Sequence, residues 1–219
     1  METATEEKPT RLEIDYPERD LDRLTTFFRP IVAIPILIVL GILSGGPAFW
    51  EESRWGWDWI GHWQWQGAAA FVVAPTALLI IFRSKYPRWW FDWNLHLARF
   101  GMRVLAYMAL LTDVYPSTDD EQGVHLDLHY PDVSEDLTSW MPLIKWFLAI
   151  PHYIVLFFLN VASTMVIILA WFAILFTGRY PRELFNFVVN VFHWNLRVMA
   201  YAFLLITDKY PSFNFTGWE

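Results

Sequence analysis

Two hydrophobic patterns recur along the chain. Residues Leu12–Tyr16 and Val124–Tyr130 alternate apolar and polar side chains, a period of two that predicts short strands with one dry face, and each run ends in Tyr-Pro. Phe213-Asn214-Phe215 is a candidate third strand. After each strand come two nearly unbroken apolar segments: about Phe28–Ser44 and Gly67–Phe82, then about Pro142–Leu159 and Val161–Thr177. Each holds about 17 residues, roughly 25 Å as helix, at the short end of what crosses a bilayer. The competing reading is a set of buried core helices. A chain of 219 residues is too small to bury four such helices and its tryptophans as well.

A third helix follows each pair with a different pattern. Arg88, Asp92, His96, Arg99 and Arg103 step by four, four, three and four, which is one helix face, and Arg182, Asn186, Asn190, His193 and Arg197 step identically. The remainder of each helix is almost entirely apolar. A narrow polar stripe on an apolar cylinder either lies in the membrane interface, stripe to water, or spans with the stripe facing a protein interior or a wet cavity.

The matched stripes belong to a wider repeat. Leu12–Pro17 recurs as Leu126–Pro131, Ala33-Ile34-Pro35 as Ala149-Ile150-Pro151, and Tyr86-Pro87-Arg88 as Tyr180-Pro181-Arg182. Arg103-Val104 with Ala106-Tyr107 recurs as Arg197-Val198 with Ala200-Tyr201, and Thr112-Asp113 with Tyr115-Pro116-Ser117 as Thr207-Asp208 with Tyr210-Pro211-Ser212. The order is kept throughout, which predicts two tandem units, residues 1–118 and 119–219, the first carrying an insertion at about 47–66.

The positive-inside rule then chooses between placements. With two crossings per unit and a cytoplasmic N-terminus, Arg54 is the one basic residue outside, while Arg83, Lys85, Arg88, Arg179 and Arg182 stay inside. Three crossings per unit would move Arg179 and Arg182 outside. The expected architecture is therefore mainly α and integral to the membrane. Each repeat has a short strand, a transmembrane helical hairpin and an amphipathic interfacial helix. That makes four transmembrane helices in all, a multi-pass cell-membrane protein with both termini cytoplasmic. The acidic, Lys- and Arg-free stretch from Thr112 to Trp140 argues the other way, weakly, because acids contribute little to the rule.

Composition supports lipid as solvent. The hydrophobic share is 55% and the charged share 18%, against roughly 45–50% and about 25% in soluble domains. Fourteen Trp suit a membrane–water boundary, where one end of the ring is dry and the other wet. With no Cys, disulfides and thiolate chemistry are excluded, and a net charge of -7 disfavours nucleic acid. The charged N-terminus has no signal-peptide core, so the first apolar run is expected to remain in the mature protein.

Candidate chemistry is sparse. His125, Asp127 and His129 share one face of the second strand and form a weak metal candidate, set against a plain solvated face because Arg11, Glu13 and Asp15 occupy those places in the first unit. Trp55, Trp57, Trp59, Trp63 and Trp65 in the insertion suit an aromatic loop on the outer leaflet. Arg88, Asp92, His96, Arg99, Arg103 and their counterparts Arg182, Asn186, Asn190, His193 and Arg197 are candidates for lipid headgroups or a partner. Asp92 and His96 are the stripe pair close enough to interact. Lys145 lies near a segment start and is expected to snorkel to the interface. No catalytic set and no cofactor is expected.

Tyr-Pro after an alternating strand, AIPH at Ala149–His152, LFTGRYP at Leu175–Pro181 and LLITDKYPSF at Leu204–Phe213 resemble the prokaryotic membrane-protein family called domain of unknown function 4389, nearly over the whole chain and twice. The first unit departs from the pattern, with Ile36 in place of His152 and Arg83-Ser84-Lys85 in place of Thr177-Gly178-Arg179. The resemblance implies architecture and carries no activity. The expected function is a non-enzymatic accessory, scaffolding or self-assembling subunit that binds membrane lipids or a membrane partner, as a homo-oligomer or within a complex. The other class is a small transporter, channel or lipid-handling protein with a polar path lined by the stripe.

Overall fold

The computed structural model describes residues 10–17, 19–43, 76–83, 85–120, 122–131, 137–138 and 140–215. The Trp-rich insertion at 47–66, with Trp55, Trp57, Trp59, Trp63 and Trp65, lies outside the described residues, as does the first part of the apolar segment at 67–82. The described chain is mainly helical. In order it holds β1 (Thr10–Ile14), α1 (Arg23–Val32), α2 (Ile34–Leu43), α3 (Arg88–Met108), β2 (Val124–Leu128), α4 (Met141–Leu148), α5 (Ile150–Thr177) and α6 (Arg182–Ala202). A further helical stretch covers 76–83.

β1 and β2 pair antiparallel about Leu12↔Leu126. The register sets Arg11 opposite Asp127, unlike charges across the ladder, and Glu13 opposite His125. Ile14, Val124, Leu126 and Leu128 turn inward and are buried. The strand considered over 213–215 does not form. Phe213 instead stacks on His152, with ring centroids 4.1 Å apart, and the Asn214 carbonyl accepts from Arg197 at 2.7 Å.

The two Ala-Ile-Pro blocks mark helix junctions. Pro35 and Pro151 occupy the first turn of α2 and α5, where a missing N–H is harmless. The preceding Ala33 and Ala149 are fully buried at the break, and α1 and α2 meet there at a 43° bend.

The largest departure from expectation is α5. A reversal was expected between Leu159 and Val161, but the helix runs unbroken for 28 residues from Ile150 to Thr177. Asn160 does not stop it, because its side-chain amide pairs with Asn195 of α6, at 3.2 and 3.1 Å, and leaves the backbone helical. The stop is Gly178, at φ 78°, a left-handed cap that a side chain would strain. The antiparallel hairpin is thus α5 with α6, rather than 142–159 with 161–177. Trp194 Nε1 donates to His152 Nδ1 at 3.2 Å, and Trp146 Nε1 donates to the Ala202 carbonyl at 2.9 Å. Among the described residues one helix, α5, is long and apolar enough to cross a membrane, or two if α1 and α2 count as one bent span, against the four expected.

The strands lie along the stripe helices rather than beyond their ends. Tyr130 sits at the first turn of α3, its ring 5.2 Å from Phe91, while four residues earlier the Leu126 carbonyl accepts from Arg99, two to three turns further along the same helix. β2 therefore runs antiparallel to α3. β1 contacts α6, with Tyr16 5.0 Å from Phe185. The order through the molecule is sheet, then α3 and α6, then α2 and α5.

Candidate functional site

The stripe residues divide along each helix. At the start of α3 and α6, Arg88 and Arg182 are exposed, with their guanidinium groups over the rings of Tyr130 at 5.2 Å and Tyr16 at 5.0 Å. Asp92, His96 and Asn186 are exposed as well, and Asn190 and His193 are half-buried. Deeper along the helices the polarity is taken up by the fold. Arg99 donates to the Leu126 carbonyl at 2.8 Å and to Asp127 at 2.7 Å. Arg103 is buried and donates to the Ser117 carbonyl at 3.0 Å. Arg197 is fully buried and reaches Ser212 Oγ at 3.0 Å and the Asn214 carbonyl. The stripe is therefore no single binding face. Arg99, Arg103 and Arg197, expected at lipid headgroups, hold a strand and the two Tyr-Pro-Ser tails instead.

The weak metal candidate divides in the same way. His125 and Asp127 lie on the exposed face of β2, and His129, just past its end, is exposed as well. Asp127 turns to Arg99, and His125 Nε2 lies 3.6 Å from Asp15. Among the described residues no group of three His, Cys, Asp or Glu side chains is arranged to hold a metal ion.

Two buried cations were missed as site residues in the sequence. Arg29 is 2% exposed. It donates to the carbonyls of Tyr107 and Thr112, both at 2.9 Å, forms an ion pair with Asp113, and sits 4.5 Å from the Tyr107 ring centroid. Lys145, expected to snorkel, is 0% exposed. Its Nζ reaches the Thr207 carbonyl at 2.7 Å and Asp208 at 2.8 Å, 5.2 Å from the Tyr201 ring. Burial lowers the Lys145 pKa and Asp208 opposes that shift. Asp113 also accepts the Asp22 N–H at 2.8 Å, just ahead of α1, and Asp208 the Thr138 N–H at 2.6 Å, ahead of α4. The available signal was the repeated Thr-Asp pair, a half-buried acid matched to a cation in each half.

The tyrosines of the Tyr-Pro blocks tie the halves together reciprocally. Tyr16 O–H donates to the Tyr180 carbonyl and Tyr130 O–H to the Tyr86 carbonyl, each at 2.5 Å. Burial pushes the Tyr86 and Tyr180 phenols well above their ordinary pKa, so both stay neutral.

Opposite the sheet lies a surface that none of the other described residues covers. α5 contains no Asp, Glu, Lys or Arg. His152, Leu156, Ser163, Ala170 and Ile174 are buried, while Ile150, Ile154, Phe158, Met165, Phe172 and Phe176 are exposed, Phe176 by 79%. At 3.6 residues per turn the exposed set falls within an arc of roughly 120° running the helix's full length. The exposed Thr164 returns its hydroxyl to the Asn160 carbonyl at 2.9 Å. Leu143 and Phe147 of α4, Leu24 and Ile31 of α1 and Ile42 of α2 are exposed too. A soluble protein rarely leaves so much contiguous apolar area in water.

Comparison with known proteins reaches about a third of the chain. Residues 140–214 match the family described as domain of unknown function (DUF4389). The match covers α4, α5, α6 and the tail that Arg197 holds. One copy is found, where the sequence resemblance was expected to run twice through nearly the whole chain. No curated protein and no solved structure matches.

Proposed function

We propose that the chain is a non-enzymatic membrane-embedded module made of two tandem copies of one unit, serving as an accessory or scaffolding subunit that binds lipid through its apolar face. The observation that carries this reading is the uncovered face of α5, apolar from Ile150 to Phe176. Burying exposed Phe, Ile, Leu and Met contributes roughly 1.5–3 kcal/mol per side chain, and lipid supplies that burial. The two-copy reading is supported by the reciprocal contacts: Tyr16 with Tyr180 against Tyr130 with Tyr86, Arg29 with Asp113 against Lys145 with Asp208, and Arg103 with Ser117 against Arg197 with Ser212. Arg23, Arg83, Lys85 and Arg179 are exposed beside the apolar helices, which favours an anionic, cytoplasmic leaflet and cytoplasmic termini. The polar sheet face is then free to meet a partner subunit.

Membrane fractionation tests this. The full chain should stay with the membrane through alkaline carbonate washing and come off only with detergent. The triple variant Phe158→Asp, Met165→Asp, Phe172→Asp, which touches no buried position, should appear in the wash. Recovery of the native chain as a folded monomer in detergent-free buffer would end the proposal.

A further inference from the structure

The apolar face has a direction as well as a composition. α5 is about 42 Å long at 1.5 Å per residue, more than enough to cross a hydrocarbon core of about 30 Å. Its neighbours decide whether it stands upright. α6 lies antiparallel along it, from Trp194 at His152 and Asn195 at Asn160 to the turn at Gly178. β1 packs on α6, and β2 runs along α3 from Tyr130 at its first turn to Leu126 at Arg99. β1 meets the first turns of α6 at Tyr180, Arg182 and Phe185, so an upright α5 would carry the sheet upright beside its Gly178 half.

Lipid does not tolerate that sheet. Arg11, Glu13, Asp15 and Asp127 have side chains 75%, 59%, 65% and 67% exposed. A charged residue at the bilayer centre costs about 2.5–3.5 kcal/mol even on the most lenient scale. Among the described residues no third strand joins the two-stranded sheet, and hydrocarbon offers no hydrogen-bond partner for an open edge. Laid flat, the same molecule meets no conflict. With spacings of about 10 Å between layers, the polar strand face stands roughly 20 Å above the axis of α5, in water, while the uncovered arc points straight down.

Resting on the membrane reading above, we infer that this chain binds a single leaflet with α5 lying in the bilayer plane, so that its apolar face meets acyl chains and its sheet stays in the aqueous phase on the same side as both ends of α5. Thr138, bonded to the aspartate that pairs with Lys145, lies just ahead of α4, which leads into α5, and Arg179 follows the other end of α5.

The full chain has no cysteine, so single-cysteine variants report cleanly. In sealed vesicles of phosphatidylglycerol and phosphatidylethanolamine, Thr138→Cys and Arg179→Cys should both react with a membrane-impermeant maleimide from one side. Spin labels at Ile154→Cys, Met165→Cys and Phe176→Cys should report one common, shallow depth by collisional relaxation with oxygen and a nickel chelate. Labelling of positions 138 and 179 from opposite sides, or a depth profile deepest at 165 and shallow at 154 and 176, would overturn the in-plane inference while leaving membrane embedding intact. Full access of the nickel chelate at all three α5 positions would overturn both readings.

Discussion

In the first half of the chain the buried cation at the foot of the apolar helices is an arginine; in the second it is a lysine. Arg29 and Lys145 face equivalent aspartates, lie beside equivalent tyrosines and precede equivalent Ala-Ile-Pro junctions. Arg29 spreads its bonds over two carbonyls and a carboxylate. Lys145 concentrates a point charge on one carbonyl and one carboxylate, and burial lowers its pKa. The difference teaches how each site depends on its acid. A guanidinium robbed of its carboxylate keeps two acceptors, while an ammonium keeps one.

That asymmetry can be broken at four strengths. Asp208→Ala leaves the Lys145 ammonium buried without its carboxylate and should cost about 3–5 kcal/mol, seen as a large drop in thermal midpoint in detergent. Asp113→Ala should cost less, about 2–3 kcal/mol, because the Tyr107 and Thr112 carbonyls remain to Arg29. Equal losses would show that the carbonyls contribute nothing. Arg29→Lys should cost about 1–2 kcal/mol by removing the second arm of the fork. The double variant Lys145→Met, Asp208→Leu should stay within about 1 kcal/mol of the native chain, since a well-packed apolar pair replaces a buried ion pair at little cost. A double variant as unstable as Asp208→Ala would mean that the aspartate's bond to the Thr138 N–H, rather than the ion pair, is what matters.

Where an element obeyed one local rule, the sequence was a sufficient guide. The alternation at Leu12–Tyr16 and Val124–Tyr130 marks strands that form at Thr10–Ile14 and Val124–Leu128, and the stepped stripes mark helices α3 and α6, from Arg88 and Arg182 onward. Reading failed at Asn160, which falls between the apolar segments expected at Pro142–Leu159 and Val161–Thr177. Its amide finds Asn195 across the hairpin, a partner 35 residues away that no local pattern contains. It failed again at Lys145, where helix position suggested a cation reaching for water. Asp208 lies 63 residues further along, and the pair closes only when the chain folds back.

The sequence by itself settled which side chains shun water, how they repeat and which helix faces are polar, because these depend on chemistry and periodicity along one segment. The tertiary structure decided what each polar face meets. A stripe of Arg99, Arg103 and Arg197 can face lipid phosphate, a channel or the backbone of another segment with the same pattern of letters. Only the packing of β2, and of the tails at Ser117 and Asn214, against those helices selects the last. Burial of a charge is a property of its surroundings in space, and those surroundings come from parts of the chain that one-dimensional order does not bring together.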